Sequence, residues 1–492
     1  MGNNQCSKYF GCGGKKNNYD TIQLNKLKLV GVGAFGRVWA VELVKYTSEK
    51  ETFTDNDSDD MVYALKELSK PIIIAKEAVN VANNEVKILQ DIPNSKFIVN
   101  IWYSFQDQKN AYVLMDYAPC GDLLFHMKRI KRRQIKKDEK GGTLTEHQGK
   151  FMAMCVLEAL RTIHEAGVVH RDIKPENIII DSNGYPKLAD FGIAEFNENI
   201  SPGSQFGTLS YMAPEIIFDH KYSYTADYYS LGVLILLMVT GDMLSVGGTP
   251  KEAKNAISLR NDSITTKKFT KRYPYLSEEC CDLIVSLLCT SQHKRIGVTG
   301  GVEEILKHEW FEGIEIESIK NQSYVSPIYE ICTDQKAIME LTSNDYDRGE
   351  STSFWRKKEN KAMKMIAKAV DYGNNWESHF TAFDYLNVIF EDEDNPFEKT
   401  ERVRRHTMSS ISKQRNGSLS DIIERDKLRA ELSNGNEENP KPRMGLHRIS
   451  EPKSEQGGKT ITPTNERKSI MTEGKLSPDD KVDSEKSPEK SL

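Results

Sequence analysis

Apolar and polar residues alternate from Ile22 onward, which predicts strands at Leu27–Val30, Arg37–Val44 and Met61–Leu65. The Asp- and Ser-rich stretch Thr47–Asp60 predicts a loop between the last two. The period lengthens to that of a helix around Val79–Leu89 and returns to strands at Ile98–Phe105 and Tyr112–Met115. From Asp122 to about Phe311 it stays helical. Strands first and helices afterwards predict an α+β chain, with a small β-rich lobe ahead of a larger helical one. The longest apolar run, Leu231–Val239, is too short to cross a bilayer and predicts a buried helix. Residues 1–20 and those beyond about 400 are polar, and both have the composition of unfolded chain.

Composition adds limits. The 492 residues are 38% hydrophobic, enough for one large two-lobed domain, and the net charge of −5 gives no general attraction to nucleic acid. Nucleic acid is therefore not expected as a partner. Eight scattered cysteines contain no Cys-x-x-Cys pair, which argues against a zinc site and fits a reducing compartment. The N-terminus lacks the apolar run of a secretory signal. The expected location is cytoplasmic.

The chemistry lies in three short strings. Gly31-Val32-Gly33-Ala34-Phe35-Gly36 is a glycine-rich turn, and glycines let backbone amides approach phosphate oxygens. In dinucleotide-binding folds a helix follows such a turn, whereas Val38-Trp39-Ala40-Val41 continues as a strand. A phosphate-covering hairpin is favoured. Lys66 closes the strand-like Tyr63-Ala64-Leu65-Lys66; a snorkelling surface lysine is the bland alternative, but Glu85 on the next helical segment offers it a partner. His170-Arg171-Asp172-Ile173-Lys174-Pro175-Glu176-Asn177 is followed by Asp190-Phe191-Gly192, and Met212-Ala213-Pro214-Glu215 closes the segment. Two carboxylates and an amide converging there suit phosphoryl transfer. Asp172 would orient the attacking hydroxyl, Asn177 and Asp190 would hold magnesium, and Lys174 would offset phosphate charge.

Together these strings resemble the signature set of the protein kinases over about Ile22 to Phe311. The resemblance implies a two-lobed kinase fold, ATP and Mg²⁺ as cosubstrate and cofactor, and protein substrates. It implies an ATP site of Val30, Gly31, Val32, Gly33, Ala34, Phe35, Gly36, Val38, Ala64, Lys66, Glu85, Asp116, Asp122 and Ile179, with Asp172, Lys174 and Thr208 catalytic. Lys174 together with Gly207-Thr208 resembles the serine/threonine pattern. Leu89, Ile101, His170 and Phe191 match an apolar spine, and Glu215 with Arg295 matches a buried ion pair. A nucleotide-binding pseudokinase and a small-molecule kinase are the rival readings. The intact signature residues argue against the first, and the complete Gly207–Glu215 segment against the second.

Phe380-Thr381-Ala382-Phe383-Asp384-Tyr385 resembles the hydrophobic motif that ends AGC-group kinases, and Val99–Asp107 is similar to their YANK-type branch, with wider likeness to the cAMP-dependent kinase. The alternative is two core aromatics in an appended helix. In that group Phe380 and Phe383 would dock on the small lobe, and Asp384 stands where many members carry a phosphorylated residue. Ser204 matches the activation-loop phosphosite that an upstream kinase would modify, with Arg171 as its cation; Glu195 and Val81 stand where two further cations are common. Asp122 and Glu176 match acids that receive substrate arginines, whereas Leu237 replaces a third acid, so a moderate preference for basic sites is expected.

Met1-Gly2-Asn3-Asn4-Gln5-Cys6-Ser7 resembles a myristoylation signal at Gly2, with Cys6 open to palmitoylation. One myristoyl chain binds membrane with K on the order of 10⁴ M⁻¹, so a second signal is needed for peripheral attachment. A plain unfolded terminus is the alternative. The basic run Lys128–Lys137 predicts a solvated loop, with lipid or nuclear-import binding as the sharper reading. Phe354–Val370, apolar and basic together, suits calmodulin, a membrane, or a tail wrapping the kinase core. The expected layout is a flexible segment over 1–21, a kinase domain over 22–311, an AGC-type tail over 312–400 and a phosphorylatable tail over 401–492, in a monomer.

Overall fold

The computed structural model describes residues 21–47, 52–54, 62–137, 142–201, 207–244, 247–260, 265–342, 350–366, 379–385 and 387–391. Its first part is β1 (Thr21–Val32), β2 (Gly36–Thr47), β3 (Thr52–Thr54) and β4 (Val62–Ser69). Then come α1 (Lys70–Ala75), α2 (Val79–Asp91), β5 (Ile101–Gln106) and β6 (Asn110–Asp116). β3 corrects the loop expected over Thr47–Asp60: it pairs with the end of β2, Thr54 opposite Lys45, and its three residues Thr52-Phe53-Thr54 are too few for a period of two to be read within a polar stretch.

β4 lies between β2 and β6, antiparallel to both. Side chains alternate across the sheet, so each strand feeds two cores. Tyr63 and Leu65 join Ile22, Leu24, Val41, Phe105, Tyr112 and Leu114 on one face. Leu68, Ala111 and Val113 turn to the other and meet Val79, Ala82 and Val86 of α2. That second face is what seats α2, and with it Glu85.

The larger lobe begins with α3 (Leu123–Lys137) and α4 (Glu146–Glu165). Thr145 and Gln148 close a capping box at the α4 N-terminus. The helical stretch expected from Asp122 to Phe311 is interrupted by two small sheets. β7 (Val168–Val169) pairs with β10 (Glu195–Phe196), and β8 (Ile178–Ile180) pairs with β9 (Pro186–Leu188). Strands of two and three residues are below the length at which a period of two can be read. The remaining helices of the lobe are α5 (Pro214–Ile217), α6 (Thr225–Thr240), α7 (Pro250–Arg260), α8 (Thr266–Arg272), α9 (Glu278–Leu287) and α10 (Gly301–Leu306). α6 contains the Leu231–Val239 run and is buried on nearly every side. The buried Arg295 guanidinium grips Glu215 through two nitrogens, at 2.5 and 2.9 Å.

The chain continues through α11 (Ile316–Lys320), α12 (Tyr329–Cys332), α13 (Gln335–Thr342) and α14 (Glu350–Ile366) to β11 (Asp384–Tyr385) and β12 (Asn387–Glu391). β11 pairs in parallel with β5, whereas β12 pairs in parallel with β1. β5 and β1 are the two outer strands of the first sheet. Two short strands near the end of the described chain thus cover the two outer edges, β11 on β5 and β12 on β1. Among the described residues, no helix is long and apolar enough to cross a membrane.

Candidate active site

The glycine-rich turn joins β1 to β2, and its Gly33 N–H meets the Gly36 carbonyl at 2.8 Å. The three glycines differ in kind. A Cβ at Gly36 would lie 1.9 Å from the Glu67 carbonyl oxygen of β4, so close strand packing demands that glycine. A Cβ at Gly31 would meet nothing within 4 Å. The protein's own packing does not explain Gly31; room for an approaching phosphate does. Val32, Gly33 and Ala34 are exposed, while Val38 and Phe35 are half-buried.

Lys66 lies in β4 between Val38 of β2 and Val113 of β6. Its ammonium pairs with Glu85 of α2 and reaches Asp190 Oδ1 at 3.4 Å. Burial alone would pull the Lys66 ammonium down, yet Glu85 and then Asp190 hold it above its ordinary value. Lys66 in turn holds the Asp190 carboxyl below the usual carboxylate range. Lys66 and Asp190 are therefore held in their charged forms, as phosphate and metal binding require, whereas burial raises the Glu85 carboxyl against the pull of Lys66. Asn84 of α2 donates to the Ala194 carbonyl at 3.1 Å, tying this helix to the segment after Asp190.

Asp172 is the hub of the second cluster. Its Oδ1 accepts the Thr208 hydroxyl at 2.9 Å and the Thr208 N–H at 3.1 Å. Its Oδ2 accepts Lys174 Nζ and, at 3.1 Å, the Asn177 amide. Lys174 also donates to the Thr208 hydroxyl at 3.1 Å. The Asn177 nitrogen is spent on Asp172, which leaves its amide oxygen as the ligand atom. Among the described residues, no group of three or more His, Cys, Asp or Glu could hold a metal unaided. Asp190 and Asn177 supply hard oxygens, which fit Mg²⁺ with its coordination completed by phosphate and water.

What fixes this loop is Asp227 of α6, which the sequence reading missed. Its fully buried carboxylate accepts the His170 N–H at 2.9 Å and the Arg171 N–H at 2.8 Å, with His164 Nε2 at 2.9 Å. Burial opposes that charge, but His164 and the His170 groups hold the carboxyl below its usual range. The available signal was an acid at the head of an apolar helix, where a charge survives only if paired. Arg171 and Asp190 both adopt left-handed backbone (φ 69° and 61°), strain that the surrounding bonds sustain.

Other expected site residues fall around these clusters. Ala64 is buried, and Ile179 lies opposite Lys187 in the β8–β9 hairpin. The Asp116 carboxylate is taken up inside the protein by Asn100 at 2.8 Å, Trp102 at 2.9 Å and Lys187 at 3.0 Å. A nucleotide contact from Asp116 would thus come from its backbone. Asp122 caps α3 through the Phe125 N–H at 2.8 Å. His170 stacks edge-on to Phe191, centroids 4.9 Å apart, and Leu89 packs on the same core. Ile101 packs against the core beneath α2 instead.

The expected regulatory residues divide. Arg171 Nε donates to the Ile193 carbonyl at 2.5 Å, and its other nitrogens reach the Tyr222 hydroxyl at 3.2 Å and Glu195 at 4.0 Å. Phe380 and Phe383 are buried among Leu68, Ile73, Ile74 and Val86. Gln106 bonds their carbonyls at 3.1 and 2.7 Å, and Ser104 bonds the Ala382 carbonyl at 2.9 Å. Asp384 follows in β11, opposite Phe105. Ser204, Gly2 and Cys6 lie outside the described residues.

Comparison with known proteins agrees with this geometry. The family model "Protein kinase domain" matches residues 24–311, more than half of the chain. The serine/threonine-protein kinase sck2 of Schizosaccharomyces pombe is 30% identical over 84% of this chain and 57% of its own length. Protein kinase 2 of Dictyostelium discoideum is 33% identical over 60% of this chain and 54% of its own. The serine/threonine-protein kinase AtPK1/AtPK6 of Arabidopsis thaliana is 33% identical over 60% and 56%. The chain thus spans little more than half the length of each of these relatives.

Proposed function

The chain belongs to the protein kinase family, and on that premise we propose that it transfers the γ-phosphate of ATP to serine and threonine hydroxyls of proteins. The observation that carries this reading is the junction of the two clusters described above. Lys66, linked to Glu85 and Asp190, forms a triad beside Asp172, Lys174, Thr208 and Asn177. The serine/threonine names of the relatives point the same way.

Bound MgATP supplies the transferable phosphoryl group and neutralises its charge. Lys66 would hold the nucleotide phosphates, with Glu85 keeping the ammonium aimed. Asp190 and Asn177 would hold the metal. The Asp172 carboxylate would accept the hydrogen bond of the incoming hydroxyl and fix its angle of attack. Lys174, bonded to both Asp172 and Thr208, would stabilise charge on the phosphoryl oxygens. An Asp172→Asn chain should bind ATP as before while phosphate transfer to a peptide falls by about 10²–10⁴. Undiminished transfer by that variant would defeat the assignment.

Three finer readings go with it. The buried Phe380–Phe383 pair against α2 and β4 supports the AGC group. The acid pair near α3 supports a preference for basic residues before the acceptor. Burial raises the Asp122 carboxyl and the neighbouring Glu176 charge raises it further, strain that an arriving arginine would relieve. The third reading concerns activation. With Glu195 beside it, Arg171 already faces a carboxylate where a phosphate would otherwise be its partner. Ser204→Ala should therefore keep kcat within about twofold, because the added charge of a phosphate has a resident substitute. An inactive Ser204→Ala chain would contradict this.

A further inference from the structure

The tip of the glycine-rich turn carries a contact that belongs to none of the expected roles. The Ala34 carbonyl accepts hydrogen bonds from two ammonium groups far apart in sequence. Lys76, just past α1, donates at 3.2 Å, and Lys358 of α14 donates at 2.9 Å. Lys76 Nζ also lies 5.0 Å from the Phe35 ring centroid. Phe35 itself packs against Ile72 of α1 and Ala362 of α14. Lys358 and Ala362 are four residues apart and so share one helix face, which presents a cation and a small apolar seat to the same turn.

Two like charges meeting at one oxygen need a reason. Burial and then the Lys76 ammonium draw Lys358 below its ordinary value, so the arrangement opposes its own charge. What it achieves follows from peptide geometry. No peptide bond described here is cis, so the Ala34–Phe35 unit is planar and trans. Holding the Ala34 carbonyl toward the two lysines turns the Phe35 N–H to the opposite edge. That N–H meets no acceptor among the described residues. It is thus available to an anionic ligand at the turn.

We propose that Lys358 is a positioning residue which, together with Lys76, orients the Ala34–Phe35 peptide so that its N–H is presented to the phosphates of a bound nucleotide. The proposal rests on the kinase reading of the site. It assigns α14, which lies beyond the 24–311 kinase match, the role of setting nucleotide affinity from outside the catalytic core. It also favours the wrapping-tail reading of Phe354–Val370 over a membrane or calmodulin role.

The test uses the full chain with Lys358→Met and Lys358→Arg. A charged donor in place of lysine can still bond the carbonyl, whereas methionine keeps the packing and loses the bond. Lys358→Met should raise KM for ATP and weaken MgADP binding by calorimetry on the order of three- to tenfold, the size of one modest interaction. Its kcat should change less than about twofold, and Lys358→Arg should recover most of the loss, since binding rather than chemistry is altered. Unchanged MgADP affinity in both Lys358→Met and Lys76→Met would overturn the proposal. MgADP binding separates the two claims. A wild-type chain that binds MgADP but transfers no phosphate sinks the kinase reading, while the lysine comparison still decides this one.

Discussion

Asp227 shows how one buried charge can hold a loop whose own residues cannot hold themselves. Two consecutive N–H groups, of His170 and Arg171, converge on its carboxylate, and Arg171 keeps a left-handed backbone beside them. Asn at this position has one acceptor oxygen and would orphan at least one buried donor. Asp227→Asn should therefore cost about 1–3 kcal/mol of stability, and transfer should fall with ATP affinity little changed. Thermal melting alongside ATP titration checks both parts. The sign of the pH effect follows from the depressed carboxyl. Its stabilisation is present above the unfolded value of about 3.9 and is lost as pH falls through the folded one. Acid denaturation of the wild type should thus be steeper than that of Asp227→Asn, and identical acid limbs would speak against the pairing. At the same scale, Asp172, Lys174, Asn177 and Lys66 could be named from their strings, since each must carry a specific functional group. Asp227 could not, because an acid in an apolar run says only that a partner exists, and the partners here are backbone amides 56 and 57 residues away.

At the scale of elements, the edge strands β11 and β12 are the feature that reorganises the small lobe. Phe380 and Phe383 fill the core under α2, and the next residues run straight into pairing with β5 and then β1. Phe390 continues the inner stack, 5.8 Å from Tyr112, and the Lys26 ammonium lies 3.9 Å from its ring. Covering both outer edges removes the unpaired backbone that would otherwise invite another chain. The aromatic pair and β12 should therefore release together. Phe380→Ala removes about 3–5 kcal/mol of packing, and the backbone amides of Asn387–Glu391 should then exchange hydrogen much faster. Amides that stay protected in that variant would mean that the strand holds independently. The phenylalanines were visible in the sequence as a motif. β12 was not, because a five-residue run has no partner until the sheet presents an edge.

For the whole molecule, the proposed substrate preference and the expected membrane attachment each carry a test. A peptide array should favour arginine two or three residues before the acceptor if Asp122 and Glu176 receive it, and an acidic preference would exclude that role. Gly2→Ala should shift the chain from the membrane to the soluble fraction if the terminus is acylated; an unchanged distribution would exclude Gly2 as an anchor. The sequence by itself determined the α+β class, the two-lobed order and the candidate residues for phosphoryl transfer. Those depend on local periodicity and on functional groups that chemistry does not let vary. Only the tertiary structure decided which groups meet: Asp227 beneath the His170–Asn177 loop, β11 and β12 on the two edges of the sheet, and Lys358 against Ala34. Each of these joins segments dozens to hundreds of residues apart, and contact at such distance is a property of packing rather than of any local pattern.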